Sequence, residues 1–308
     1  MGKGILIVGS LNMDIVVEMA RMPEVGETVM GKHLSYIPGG KGANQACAVG
    51  KLGGHVTMLG CVGNDNFGTR QIELLTESHV CMEHVDVRQE EATGTAVISV
   101  DGAGANSIVV IPGANVCCDI PYLKEHDELF QNCSYAMFQM EIPKESVYYG
   151  IARAKELGKT TILNPAPAPE TLPEEIWDKI DFFTPNETEL AKLAGLEELD
   201  ERSIRQGARK ILAKGVKHVL VTMGSKGVLW VNDKTEQIFP ARKVEAVDTT
   251  AAGDCFNGAF VTALQQGYTI EDAITFANLA SSIVVTRKGA QSSIPERDEV
   301  YSICGANE

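Results

Sequence analysis

The carboxyl-terminal third of the chain contains the stretch Val247-Asp248-Thr249-Thr250-Ala251-Ala252-Gly253-Asp254-Cys255-Phe256-Asn257-Gly258. Its apolar beginning predicts the end of a strand. The helical spacing of the apolar side chains from Phe256 to Leu264 predicts a helix directly afterwards. Small residues separate the two elements. A strand that turns into a helix is the unit from which α/β folds are built.

The start of this predicted helix has the features of an anion site beside a base. Ala251, Ala252 and Gly253 are small, so a ligand can approach the backbone N–H groups that a helix start leaves free. Those groups and the helix dipole favour phosphate-like charge. Asp254 on the same turn could accept a proton from a hydroxyl, as phosphoryl transfer to an alcohol requires. The alternative is an aspartate favourably placed at a helix N-terminus, with alanine and glycine there for packing.

Outside this stretch, short apolar runs alternate with amphipathic runs over most of the 308 residues. The alternation predicts an α/β fold with a doubly wound, mostly parallel sheet flanked by helices in three layers. The predicted strands are residues 5–8, 56–61, 135–139, 161–163, 182–184 and 218–222, and the predicted helices include 68–78, 144–157, 187–194 and 204–213. Ligands in such sheets lie at the carboxyl ends of the strands. Polar candidates that follow strands are Asn12, Asp14, Glu141, Asn164, Asn186 and Gly224.

Two segments interrupt this alternation and predict a small separate β-sheet inserted into the α/β core. Its strand-like pieces are residues 14–18, 28–37, 95–100 and 107–111. The last two flank the turn-like Asp101-Gly102-Ala103-Gly104, which predicts a β-hairpin. A small sheet must cover its apolar face with the active site or with a second subunit. We therefore predict a lid of about 14–41 and 93–112 within a single domain, 1–308.

Composition and charge exclude several classes of protein. The net charge of −14 argues against nucleic acid or an anionic membrane as the main partner, because either would require a basic face. The first apolar run is too short for a signal peptide, and no run approaches the ~20 residues that cross a bilayer. The eight scattered cysteines lack zinc-ligand spacing and are predicted to be reduced thiols. These features predict a cytoplasmic protein.

A second candidate site is the segment Gly39-Gly40-Lys41-Gly42-Ala43-Asn44-Gln45-Ala46, which opens a predicted helix. Paired glycines allow a tight turn close to a ligand, while Lys41 and Asn44 offer donors and acceptors that suit sugar hydroxyls. The segment matches neither a Walker A loop nor the dinucleotide fingerprint G-x-G-x-x-G. The missing fingerprint argues against a nicotinamide-dependent oxidoreductase. A plain helix start would explain the glycines, but not Lys41 and Asn44 together with Asn12 and Asp14 upstream.

Three further segments allow both a functional and a structural interpretation. Asn186 and Glu189 share a face at a helix start, where they could hold magnesium against phosphate or simply form a helix cap. The glycine-bearing turn 222–227 could contact a nucleotide or connect a hairpin. The polar loop 286–293 follows an apolar helix, and it could wrap a cation or adenine or be an ordinary surface loop.

The order of these segments resembles the ribokinase/PfkB family of carbohydrate and nucleoside kinases from end to end. Residues 39–46 resemble the first family signature, and residues 248–254 with Phe256 resemble the second. The remaining segments resemble the ribose kinases within that family. The resemblance implies an ATP-dependent transfer of phosphate to the 5-hydroxyl of D-ribose. It also implies a central sheet with a β-lid, and a homodimer formed through paired lids.

The resemblance further implies a role for each candidate residue. Asp254 would be the general base, and the backbone of Ala251, Ala252, Gly253 and Asp254 would form the anion hole. The sugar would contact Asn12, Asp14, Gly40, Lys41, Asn44, Glu141 and Asp254. ATP and Mg²⁺ would contact Asn186, Glu189, Thr222, Gly224, Ser225, Gly227, Gly253 and Asn278. A K⁺ ion would be surrounded, partly by backbone carbonyls, by Asp248, Thr250, Val284, Arg287, Gly289 and Ser293.

Three positions depart from the common family pattern. Ala251 stands where many relatives have glycine, which favours the ribose kinases, Asn278 stands where some have histidine at the adenine contact, and Cys255 replaces a more usual threonine. Two kinds of alternative stay open. One is a kinase for deoxyribose, fructose or a nucleoside, and the other is a non-catalytic sugar-binding regulator on the same fold.

Overall fold

The structure is a computed structural model that describes residues 4–305 and the side chains of residues 4–303. The cysteines whose side chains are described are free thiols, and the predicted thiol of Cys304 lies outside that range.

The strands are β1 Gly4–Val8, β2 Asn12–Met19, β3 Gly31–Gly39, β4 Val56–Gly63, β5 Val80–Cys81, β6 Val85–Arg88, β7 Gly94–Val100, β8 Asn106–Ile111, β9 Cys133–Phe138, β10 Thr160–Leu163, β11 Phe182–Phe183, β12 His218–Thr222, β13 Val228–Val231 and β14 Glu236–Phe239. The helices are α1 Lys41–Lys51, α2 Asn66–Glu77, α3 Ile120–Glu125, α4 Asp127–Asn132, α5 Lys144–Glu156, α6 Glu174–Trp177, α7 Glu187–Ala194, α8 Glu201–Leu212, α9 Ala252–Gln265, α10 Ile270–Val284 and α11 Arg297–Gly305.

The large sheet runs in the order β14-β13-β12-β11-β10-β9-β1-β4, and β4 then pairs with β5 and with β6. Its strands are parallel except where β12, β13 and β14 form an antiparallel meander. One hydrophobic core, containing Ala48, Phe260 and Ala277, packs α1, α2, α9, α10 and α11 on one face. A second core, containing Ile151 and Ile204, packs helices α3 to α8 on the opposite face. The predicted mostly parallel sheet between helical layers is confirmed.

The central strand β1 shows why the apolar runs predicted this fold. Ile5, Leu6, Ile7 and Val8 are all at most 1% exposed, although they point alternately to opposite faces. A parallel strand covered by helices on both sides therefore has a continuous apolar sequence instead of an alternating one.

Within the described residues, no helix combines the length and the hydropathy needed to span a bilayer.

A separate four-stranded sheet has the order β3-β2-β7-β8. β7 and β8 pair in antiparallel register, with Thr95 opposite Ile111, so the predicted hairpin is confirmed. β2 and β7 run parallel and join the two inserted segments into one sheet. The sheet begins at Asn12, before the predicted boundary, and Lys41 is the first residue of α1 instead of a sheet residue.

The strand predicted to end at Val247 is wrong. The chain leaves the sheet after β14 and crosses the surface without pairing, and Val244 and Val247 are 38% and 57% exposed. The N–H groups of Val247 and Asp248 instead donate to the carbonyl of Val285, at 2.7 and 3.2 Å. These bonds anchor the segment to the end of α10, so its apolar residues cover a cavity wall instead of forming a core strand.

Candidate active site

The N-terminus of α9 lies between two cavities at the carboxyl edge of the large sheet. Ala251 and Asp254 line a cavity of about 1000 Å³, called here the large cavity. Ala252 and Gly253 line a cavity of about 430 Å³, called the small cavity. One helical turn therefore borders both cavities, and groups bound in them can meet across it.

The large cavity brings together the residues expected to bind a sugar. Its lining includes Asn12, Asp14, Gly40, Lys41, Asn44, Glu141 and Asp254. They come from β2, the start of α1, the segment after β9, and α9. These segments are far apart in the sequence, and they lie next to one another at the carboxyl edge of the sheet.

The turn into α1 depends on Gly40. Its φ of +89° lies in the region that favours glycine, and a Cβ there would lie 2.7 Å from the backbone nitrogen of Asn12. The following N–H, that of Lys41, donates to Glu141 Oε2 at 3.0 Å. Ser10 Oγ donates to the same oxygen at 2.6 Å. Ser10, which the sequence did not single out, therefore orients Glu141.

Asp254 is 8% exposed and accepts a hydrogen bond at each carboxylate oxygen. Asn44 Nδ2 donates to Oδ2 at 2.9 Å, and Gln45 Nε2 donates to Oδ1 at 3.0 Å. Burial raises the pKa of Asp254, an effect that Lys41 and the two amides only partly oppose. A carboxylate with a raised pKa is a stronger base for a hydroxyl proton. The Oδ1 atom of Asn44 is buried without a partner among the described residues, so it can accept from a ligand hydroxyl.

Three acids of the large cavity, Asp14, Glu141 and Asp254, act on the ammonium group of Lys41. The pKa of Asp14 is raised to about 7, mainly by burial and further by the charges of Glu141 and Asp254, while Lys41 lowers it. Burial lowers the pKa of Lys41, but Asp254, Glu141, Glu189 and Asp14 outweigh that effect, so its pKa is raised overall. Lys41 therefore stays charged among acids that can accept hydroxyl protons in hydrogen bonds.

The α9 N-terminus offers three backbone donors instead of the predicted four. Among the hydrogen bonds of residues 4–305, the N–H groups of Ala251, Gly253 and Asp254 have no acceptor. The N–H of Ala252 donates to the carbonyl of Thr249 at 3.3 Å. That bond closes the turn in which Ala251 takes a left-handed conformation, with φ of 59°. The turn therefore uses one donor and leaves the other three without an acceptor among the described residues.

The small cavity brings together most of the residues expected to bind a nucleotide. Its lining includes Thr222, Gly224, Ser225, Gly227, Gly253 and Asn278. Asn278 Nδ2 donates to the carbonyl of Phe239 at 3.2 Å. Apolar side chains of Val244, Phe256 and Val285 form walls suited to a flat ring. Val244 lies in the unpaired segment between β14 and α9.

Asn186 and Glu189 form the helix cap that the sequence allowed as an alternative. Asn186 Oδ1 accepts from the N–H of Glu189 at 2.8 Å, and Glu189 Oε2 accepts from the N–H of Asn186 at 2.9 Å. Neither residue lines the large or the small cavity as the described residues enclose them. Burial raises the pKa of Glu189, and its charge acts on Lys41 and Asp254. Glu189 is therefore close enough to Lys41 and Asp254 for its charge to act on them, although it lies outside both cavity linings.

Three of the six residues expected around potassium are in direct contact. Asp248 Oδ1 accepts from the N–H and Oγ1 of Thr250 at 2.9 and 2.7 Å, and Oδ2 accepts from the N–H of Gly289 at 3.0 Å. Burial raises the pKa of Asp248, but these bonds outweigh it and the pKa is lowered. The other three take part in separate contacts: the carbonyl of Val284 accepts from the N–H of Arg287 at 3.0 Å, and Ser293 Oγ donates to the carbonyl of Ala290 at 2.7 Å.

Asn115 is another site residue that sequence reasoning missed. It is 1% exposed, and its Nδ2 donates to Asn12 Oδ1 at 2.7 Å while its Oδ1 accepts from the N–H of Leu11 at 2.9 Å. It therefore orients Asn12 toward the large cavity. An isolated asparagine after β8 carries no local pattern that could have revealed this contact.

These elements define a class of protein. Two cavities meet at a helix start that has unpaired N–H groups, and a buried carboxylate lies on its first turn. Such an arrangement suits an enzyme that transfers an anionic group between two small molecules.

Comparison with known proteins identifies the family within this class. Residues 3–297 match the pfkB family of carbohydrate kinases. Ribokinase of Haemophilus influenzae is 38% identical over 299 residues, covering 97% of each chain. Deoxyribokinase of Salmonella typhimurium is 37% identical over 304 residues, covering 99% of each. The structure of Arabidopsis thaliana ribokinase complexed with ribose and ATP matches with a TM-score of 0.91 and 34% identity, covering 98% of this chain and 99% of that one. The chain belongs to the pfkB family of carbohydrate kinases, and the prediction of a sugar kinase is confirmed.

Proposed function

We propose that the protein transfers the γ-phosphoryl group of ATP to the 5-hydroxyl of D-ribose. The observation that carries the proposal is the position of Asp254 at the boundary between two cavities, one lined by hydroxyl-binding groups and one by glycines and apolar walls. The Arabidopsis relative, described with ribose and ATP, supports the choice of ligands.

In this mechanism, ribose lies in the large cavity and ATP in the small one. Asp254 accepts the proton of the 5-hydroxyl while the oxygen attacks the γ-phosphorus, the bond from that phosphorus to the β,γ-bridging oxygen breaks, and ADP leaves. The N–H groups of Ala251, Gly253 and Asp254 bind the phosphoryl oxygens as negative charge spreads over them. Lys41 and Asn44 hold the sugar hydroxyls that keep the attacking oxygen in line.

Both metal ions belong to the proposal. Mg²⁺ would enter with ATP and neutralise its phosphates, with Glu189 and Asn186 as outer contacts through water. K⁺ would be held by carbonyl oxygens around Asp248 and Thr250. Because Asp248 also bonds the N–H of Gly289, an ion there would order the turn that leads into α9.

The small four-stranded sheet completes the proposed enzyme as a lid. One of its faces supplies Ala96, Ile98 and Val110 to the large cavity, so the sheet can shield the sugar from water. We propose a single domain, a homodimer formed through the lids and a cytoplasmic location.

The Salmonella relative makes 2-deoxyribose a second candidate substrate. The two sugars differ by one hydroxyl, and a site built to bind that hydroxyl discriminates strongly when it is absent. ADP formation should be measured with ATP and Mg²⁺ against ribose, deoxyribose, fructose and a nucleoside, with and without K⁺. Ribose should give the highest kcat/KM. A higher value for deoxyribose would transfer the assignment to that sugar.

Substitution of the proposed base tests the mechanism. Asp254→Asn keeps the side-chain volume and removes the proton acceptor, so we expect kcat to fall about 10²- to 10⁴-fold. Sugar-dependent ADP formation measures the loss, and circular dichroism verifies folding. A folded variant with near-wild-type kcat would refute the assignment of Asp254.

A further inference from the structure

Asp254 is connected to the large sheet by a line of buried amides. Gln45 Nε2 donates to Asp254 Oδ1 at 3.0 Å and to Asn164 Oδ1 at 3.2 Å. Gln45 Oε1 accepts from Gln139 Nε2 at 2.6 Å. Gln139 directly follows β9 and Asn164 directly follows β10. One side chain, that of Gln45, therefore connects the carboxyl ends of two strands to the carboxylate on α9.

These amides belong to the protein interior and not to the ligand surface. Gln45 and Gln139 are both 0% exposed, and neither lines the large or the small cavity as the described residues enclose them. Removing the Gln45 amide therefore takes one of the two donors from the Asp254 carboxylate, and removing the Gln139 amide leaves the buried Gln45 Oε1 without its donor.

The neighbours of Gln45 determine which way its amide group points. Asn164 Nδ2 donates to the carbonyl of Thr184 at 2.8 Å, so Asn164 Oδ1 and Asp254 Oδ1 are both acceptors and the NH₂ group of Gln45 must face them. Gln139 Nε2 then donates to the remaining oxygen, Gln45 Oε1. The opposite orientation would place the amide oxygen against the carboxylate and the two NH₂ groups against each other. A donor at Oδ1 favours the ionised carboxylate, and the donor from Asn44 at Oδ2 completes the constraint on its rotation.

We propose that Gln45 is a positioning residue for phosphoryl transfer, which keeps the Asp254 carboxylate ionised and turned toward the incoming hydroxyl, and that Gln139 orients Gln45 for this task. The inference rests on the proposed role of Asp254 as the base. It assigns a task to an amide that contacts neither substrate nor nucleotide.

The substitution Gln45→Met tests the inference because it keeps the chain length and removes the donor. We expect kcat to fall about 10- to 100-fold, with the KM values for sugar and ATP within about threefold of wild type. Losing the donor raises the pKa of the base, so the acidic limb of the kcat–pH profile should move upward by about one pH unit. The other charged groups acting on Asp254, namely Lys41, Glu141, Asp14 and Glu189, are unchanged in this variant.

Two companion variants separate this role from a purely structural one. Thr161→Val removes a fully buried hydroxyl that donates to Asp181, at the opposite end of β10. It should lower the melting temperature without moving the pH profile. Gln139→Met should move the profile in the same direction as Gln45→Met, by a smaller amount, and it provides the test should Gln45→Met not fold.

The outcomes distinguish the inference from the proposed function. An unchanged kcat–pH profile in folded Gln45→Met and Gln139→Met would overturn the inference, whatever the melting temperatures. Were Asp254→Asn inactive in the same assay, the assignment of the base would stand and only the role of Gln45 would fall. Were Asp254→Asn fully active, both would fall together.

Discussion

At the scale of single residues, Asp14 shows a conflict between binding and stability. Its carboxyl group is withdrawn from water beside Glu141 and Asp254, and burial first of all raises its pKa from 3.8 to about 7. The folded protein therefore binds this proton more tightly than the unfolded chain does. By linkage, the ligand-free protein loses stability as the pH rises from 3.8 to about 7. The proposed sugar binding by Asp14 gives a reason for a group that destabilises the fold in this way.

The substitution Asp14→Asn should therefore stabilise the ligand-free protein most at high pH. We expect the free energy of unfolding to rise on the order of 1–3 kcal/mol at pH 8 and by less at pH 5. Urea unfolding of both proteins at the two pH values measures the difference. An equal gain in the free energy of unfolding at both pH values would contradict a raised pKa for Asp14. Sugar affinity should fall in the variant at either pH.

At the scale of elements, three helices begin at the carboxyl edge of the sheet in different ways. α1 begins after Gly40 with a positive φ, α9 begins after the left-handed Ala251, and α7 begins with the capping box of Asn186 and Glu189. The capping box satisfies the helix start from within. α9 instead leaves N–H groups unpaired among the described residues, and the start of α1 lies against the large cavity. The starts of α1 and α9 are therefore available to a ligand, whereas the start of α7 is satisfied by its own side chains.

The glycine at the start of α1 should tolerate substitution poorly. Gly40→Ala combines a positive φ with a Cβ 2.7 Å from a backbone nitrogen. Gly267→Ala has a similar φ, +91°, but its Cβ would meet nothing within 4 Å, so it measures the conformational strain alone. We expect Gly40→Ala to lose about 1–3 kcal/mol more stability in urea unfolding. Equal losses would show that the close approach to Asn12 is relieved by small movements.

The α7 cap offers a test of its proposed second role with magnesium. Asn186→Ala and Thr269→Ala each remove a helix N-cap whose side chain accepts from a backbone N–H, so each should lose about 1 kcal/mol. Only Asn186→Ala should raise the Mg²⁺ concentration for half-maximal activity, by about tenfold. If both variants had the wild-type magnesium requirement, Asn186 would be a cap and nothing more.

At the scale of the whole molecule, the small sheet has two apolar faces. Along β8, Ile108 and Val110 border the large cavity and are 54% and 52% exposed, while Val109 and Ile111, which alternate with them, are 60% and 47% exposed. Leu34 on β3 is also 50% exposed. An outer apolar face of this kind is typical of an interface. A second copy of the chain would cover it while the inner face covers the sugar.

Charge placed on that outer face should prevent dimer formation. We expect wild-type protein to sediment at twice the chain mass of 33.1 kDa, and Val109→Glu to sediment as a monomer because a buried unpaired carboxylate is costly. Leu199→Glu adds the same charge at a 42% exposed leucine outside the small sheet and should stay dimeric. A monomeric wild-type protein at the same concentration would contradict the proposal.

Much of the fold could be predicted because its signals are local. Residues 5–8 predict a buried strand from four adjacent apolar side chains, and Asp101-Gly102-Ala103-Gly104 predicts the turn between β7 and β8. Val247 misled the same reasoning. Its sequence suits a strand, but its N–H donates to the carbonyl of Val285 at the end of α10 instead of to a strand, and no local pattern reveals that contact.

The sequence by itself determined the alternation of strands and helices, the inserted hairpin and the residue types of the two signature segments. All of these depend on spacing over a few residues. Only the tertiary structure decided that Gln45 lies against Asp254, 209 positions away, and that Asn115 orients Asn12, 103 positions away. Such contacts depend on the order in which strands are arranged in the sheet. That order is set by burial of apolar surface over the whole chain, so no short segment encodes it.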